Sequence, residues 1–126
     1  MLLQLLMALS LLFPAQDRET VRKSAAEFAK GVELQQKGDF DGALTAYNAS
    51  LRLIPRRSDA LTNIGVIYAR LGQYEKAIEN YRLALEVDPK EISTRLNLGI
   101  AQYKMEHFKE ALEEFAKIVK VAPDNP

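Results

Sequence analysis

The stretch Ser58–Glu91, SDALTNIGVIYARLGQYEKAIENYRLALEVDPKE, decides the fold of this chain. In its first half Leu61, Ile64 and Tyr68 recur at three- and four-residue intervals, which places them on one face of an α-helix. Gly72 interrupts that pattern just before Tyr74. A second stripe runs through Ala77, Ile78, Tyr81, Ala84 and Leu85 and stops at Pro89, which cannot continue a helix. The stretch therefore reads as a hairpin of two antiparallel helices. Gly65, Ala77 and Ala84 are small enough to let the two backbones approach, while Tyr68 and Tyr81 supply the area buried between them.

The same residue types return 34 positions away on both sides: Gly31, Gly65 and Gly99; Phe40, Tyr74 and Phe108; Ala43, Ala77 and Ala111; Tyr47, Tyr81 and Phe115; Pro55, Pro89 and Pro123. Five columns holding one register mark an internal repeat, so three hairpins are expected, over 24–57, 58–91 and 92–125, with 17–23 as a linker. At this point the sequence resembles the tetratricopeptide-repeat (TPR) family, whose run of Leu-Gly, Tyr, Ala, an aromatic and a closing Pro is met by Ile64, Gly65, Tyr68, Ala77, Tyr81 and Pro89. The resemblance covers about residues 24 to 125 and implies an all-α solenoid, a right-handed superhelix of antiparallel helical hairpins. Lys30 departs from the pattern in the first unit, and Arg95 and Gln102 in the third, so the outer repeats are expected to pack less tightly than the middle one.

Composition narrows the function. Of 126 residues, 48% are hydrophobic and 27% charged, as in one globular domain. Seventeen Lys and Arg balance 17 Asp and Glu, so no net field draws the chain to nucleic acid or anionic lipid. Cysteine is absent, which excludes disulfides, thiolate metal sites and a cysteine nucleophile. Residues 1–16 are an apolar N-terminal segment. Met1–Phe13 has the length of a signal-peptide core and falls short of a membrane span, which points to export into a periplasm or the medium. No Lys or Arg precedes it and Phe13 is bulky for a cleavage site, so a docking helix or a misassigned start stay open, with a cytoplasmic location in those cases.

The resemblance also implies where a ligand sits. In this family the first helices of successive repeats line a concave groove, which here would draw on Phe28, Val32, Asn63, Val66, Arg70, Asn97, Ile100 and Tyr103. Asn63 and Asn97 each stand two residues before a repeat glycine and form two rungs, with Ala29 breaking the series. An amide can donate to a peptide C=O and accept from a peptide N–H, so the rungs suit the backbone of an extended peptide or the helix of a partner. Solvated asparagines duplicated with the repeat are the plainer reading. Family members that hold a chaperone's C-terminal carboxylate do so with Lys, Asn and Arg at positions occupied here by Phe28, Val32, Asn63, Ser93 and Asn97. Only Asn63 agrees, so that mode is not expected.

The far end of the array raises a separate question. Ile78 and Leu85 should be covered by the following repeat, and their equivalents Leu112 and Val119 have none after them. Three readings follow: one end of a longer solenoid, a homo-oligomer through this face, or a partner's helix completing the stack. A regulatory segment attached to an enzyme beyond Pro126 is a further possibility.

No chemistry is legible. His107, the single histidine, falls in a turn, and one histidine without cysteine gives no metal set. No nucleophile has a base partner, no Gly-Lys-Ser or Gly-Lys-Thr phosphate loop occurs, and Glu113 with Glu114 diverge around a helix. The chain is expected to be no enzyme and to need no cofactor.

Overall fold

A computed structural model of the chain describes residues 1–5, 7 and 17–121, the last as backbone alone. The proposed leader of residues 1–16 and Pro123 lie wholly or largely outside the described residues. Between 17 and 121 the chain forms six helices: α1 Arg18–Gln36, α2 Phe40–Leu53, α3 Ser58–Arg70, α4 Tyr74–Val87, α5 Ile92–Lys104 and α6 Phe108–Val121. The segment 17–23, read from sequence as a linker, forms the first turns of α1. Asp17 accepts a hydrogen bond from the Glu19 N–H at 3.2 Å, and Glu19 pairs with Lys23 one turn on.

Each hairpin turns in the same way. Two residues past the end of each first helix stands one with positive φ, Gly38 (80°), Gly72 (74°) and Glu106 (63°), and the next N–H donates back to the carbonyl of Leu34, Tyr68 or Gln102 at 2.8–2.9 Å. Glycine adopts this left-handed conformation freely, and Glu106 does so under strain.

The close approach read from the repeat glycines is present. A β-carbon on Gly65 would lie 2.5 Å from the Tyr81 ring, and one on Gly99 would lie 2.5 Å from the Phe115 ring. Between hairpins, α2 packs on α3 and α4 on α5. Ala43, Tyr47, Ala60, Ile64 and Ile67 form one core cluster; Ala77, Ile78, Tyr81, Leu85, Leu98 and Ala101 form the next.

The residues that depart from the repeat pattern meet three different fates. Lys30 is exposed on the outer side of α1. Arg95 is absorbed by a largely buried ion pair with Glu114 at 2.7 Å and a hydrogen bond to the Pro89 carbonyl. Gln102 is buried with its Oε1 unpartnered, a cost that an apolar residue or tyrosine at that position would avoid.

Candidate functional site: clefts between the first helices

The first helices α1, α3 and α5 lie side by side, with α3 touching α5 directly, and open clefts run between them. One, of about 340 Å³, is bounded by Val32, Gln35 and Gln36 of α1 and by Asn63 and Arg70 of α3. A second, of about 280 Å³, lies between α3 and α5. Val66, Ala69, Tyr74, Ile100 and Ala101 give it an apolar floor, and Arg70, Asn97, Lys104 and Tyr81 bring polar groups to it. A third, near the opposite ends of α3 and α5, carries Asp59 and Glu91 among Ser, Thr and Asn side chains. Repeat register explains the assembly: residues at one position of each repeat recur on the same inner face, so cationic Arg70 and Lys104, 34 residues apart, meet in one cleft.

Six of the eight residues expected to line a groove therefore do so: Val32, Asn63, Val66, Arg70, Asn97 and Ile100. Phe28 and Tyr103 do not border these clefts. The Phe28 ring is half-buried against Tyr47, with ring centroids 5.6 Å apart and the Arg57 guanidinium 4.4 Å above it. Tyr103 stands edge-on to Phe108 at 5.3 Å and is exposed toward the end of the array. Periodicity places both on the right helices but cannot show which neighbour each ring meets.

The two asparagine rungs are not equivalent. Asn63 donates through Nδ2 to the Tyr47 hydroxyl at 3.1 Å, and that hydroxyl donates to Gln35 Oε1 at 2.7 Å. Asn63 is thus partly committed inside the fold. The third repeat offers no such chain, because Ala69 occupies the place of Gln35, and the Asn97 amide, beside Tyr81, has no side-chain hydrogen-bond partner among the described residues. Burial pushes the Tyr81 hydroxyl up to about 12, and burial also raises that of Tyr47, so both are protonated near neutrality. Lys104, Gln35 and the Tyr81 hydroxyl were missed by sequence reasoning. The 34-residue match of Lys104 to Arg70 was the available signal; nothing in the sequence marked the Gln35–Tyr47–Asn63 chain.

The two residues expected on a terminal face are exposed. Leu112 and Val119 are 69% and 66% exposed, whereas Ile78 and Leu85, their equivalents on α4, are 7% and 9% exposed beneath α5. His107 is exposed in its turn. Among the described residues no group of three or more His, Cys, Asp or Glu could hold a metal ion. No helix among them is long and apolar enough to cross a membrane.

Known proteins share this fold. No curated protein gives a significant sequence match. Among solved structures, MamA superposes with a TM-score of 0.76 at 23% identity over 80% of this chain, which spans 55% of the MamA chain. The TPR domain of Sgt2 from Aspergillus fumigatus gives 0.73 at 29% identity, over 80% of this chain and 67% of that one. The first TPR of Spaghetti (RPAP3), solved bound to the HSP90 peptide SRMEEVD, gives 0.77 at 21% identity, over 82% of each chain. Tetratricopeptide-repeat family models match residues 58–91 and residues 92–125, together more than half of the sequence. With three helical hairpins, packing glycines in a 34-residue register and these matches, the chain belongs to the tetratricopeptide-repeat family.

Proposed function

We propose that this protein is an interaction scaffold, without catalysis of its own, that binds an extended peptide segment of a partner protein across the clefts of its inner face. The observation that carries this reading is the α3–α5 cleft, where an apolar floor lies under the amide of Asn97, which no side chain among the described residues engages. An apolar surface with a few convergent polar groups is how small recognition sites are built. The similar TPR structure solved with a peptide supports the same use of this fold. Balanced charge favours a protein or peptide over nucleic acid as the partner.

Selecting binders from a random peptide library displayed on phage, against the full chain, tests this. A net hydrogen bond contributes about 1 kcal/mol, so Asn97→Ala should weaken a selected peptide about fivefold. Asn63→Ala should act partly through the lost Tyr47 contact. Binding indifferent to both substitutions would contradict the groove.

The exposed terminal face favours a second reading, in which Leu112 and Val119 join this unit to a further repeat, to a second copy or to a partner's helix. Light scattering separates the self-associating form: a dimer that dissociates on Leu112→Lys plus Val119→Lys supports it, and a monomer at every concentration excludes it. The apolar run Met1–Phe13 supports action outside the cytoplasm. An alkaline phosphatase fused after residue 16 should become active in bacterial cells if that run directs export, and should stay inactive if it does not.

A further inference from the structure

Arg70 and Lys104 are the charged residues of the α3–α5 cleft, both cationic, and no acidic side chain among the described residues lines it. Each sits in the last turn of its helix, where a positive charge is also favoured by the helix dipole. Neither takes part in an ion pair or side-chain hydrogen bond among the described residues; other exposed cations such as Arg22 and Arg82 are likewise unpaired there, and what sets these two apart is the cleft they share. Two unpaired cations therefore flank an apolar floor, with the Asn97 amide beside them. The corresponding α1–α3 cleft is different. Gln36 replaces the second cation, and the Asn63 amide is already bonded to Tyr47. The two rungs present unlike chemistry to a ligand that crosses both.

We infer that the α3–α5 cleft is an acidic-side-chain subsite, in which Arg70 and Lys104 receive an Asp or Glu of the bound peptide while a neighbouring apolar residue rests on Val66 and Ile100. This deepens the groove reading and rests on it. It needs no chain-terminal carboxylate, and the positions that hold such a terminus in related domains are occupied here by Phe28, Val32, Ser93 and Asn97. A guanidinium offers a carboxylate two parallel donors and the ammonium adds a point charge. Both cations are exposed, so the preference is moderate and screened by salt.

The test uses the full chain and three pools of fluorescein-labelled, C-terminally amidated octapeptides. Their fixed central pair is Leu-Asp, Leu-Asn or Leu-Lys, with all other positions randomised among uncharged residues. Binding is followed by fluorescence anisotropy. The Leu-Asp pool should bind about fivefold more tightly than the Leu-Asn pool, and the Leu-Lys pool most weakly. High salt should narrow the spread, and Arg70→Gln plus Lys104→Gln should abolish the preference for the Leu-Asp pool over the Leu-Asn pool. Equal binding of the Leu-Asp and Leu-Asn pools, or a preference that survives the double substitution, overturns the acidic subsite. In that event, a Leu-Asn pool weakened by Asn97→Ala would leave the groove itself standing. Failure of every pool to bind would overturn both.

Discussion

At one end of the array α1 presents Lys30 and Glu33 where α3 buries Ile64 and Ile67 against the preceding hairpin; at the other, α6 presents Leu112 and Val119 where α4 buries Ile78 and Leu85. The scaffold is the same at both ends and the surface is opposite. On α1 the face that would meet an earlier repeat is a solvated row in which Glu33 pairs with Lys37 at 2.7 Å. The hydrogen bond from Lys37 also holds the Glu33 carboxyl below its ordinary value. On α6 the face that would meet a later repeat is still written in core residues. Polar faces suit the ends of repeat arrays and apolar faces the joints between repeats, so α1 carries the first kind of surface and α6 the second. The contrast also limits self-association. Stacking α6 of one copy on α1 of another would strip water from Lys30 and Glu33 against an apolar surface, whereas two α6 faces can meet around a two-fold axis.

The largest effect should come from moving the polar surface of α1 inward. Ile67→Glu places the residue type of Glu33 at a fully buried site, with no partner for its charge, and should cost about 4 kcal/mol or more. Loss of the helical circular-dichroism transition near room temperature is the expected observation. Next comes Gly65→Ala, whose methyl would collide with Tyr81, a ring enclosed on both sides; it should cost about 2 kcal/mol. Gly99→Ala makes the same collision with Phe115, which is less enclosed and can yield, so its midpoint in a denaturant titration should fall less. Glu106→Gly replaces a left-handed non-glycine residue by the one found at the same turn in the other two repeats, and should raise stability by about 1 kcal/mol in thermal melts. Leu112→Lys plus Val119→Lys alters exposed positions only and should move monomer stability by less than about 0.5 kcal/mol each. Equal losses from Gly65→Ala and Gly99→Ala would blur the contrast between the middle and the open end.

Much of the fold is legible in the residue pattern alone. Columns of Gly, Ala, aromatic and Pro at a 34-residue period define the hairpins, because close helix packing admits few residue types at those positions. The open end is legible for the same reason, since Leu112 and Val119 inherit their orientation from Ile78 and Leu85. The groove is legible as a set of helix faces. What escapes the pattern is anything decided by side-chain partners across repeats: Tyr47 drawing Asn63 into the fold and Phe28 settling under Arg57. Such contacts depend on distances between residues that repeat register does not relate. The start of α1 is hidden because 17–23 carries no apolar stripe. Its helix is supported by the Asp17 cap and the Glu19–Lys23 pair instead.

The inner clefts and the open end make different claims on a partner, and nuclear magnetic resonance of the isotopically labelled full chain with a library-selected peptide distinguishes them most directly. The account predicts amide shifts concentrated on α3 and α5, at Asn63, Val66, Asn97 and Ile100, with α6 undisturbed. Shifts confined to Leu112, Val119 and their neighbours on α6 would contradict the groove and make the open end the binding surface.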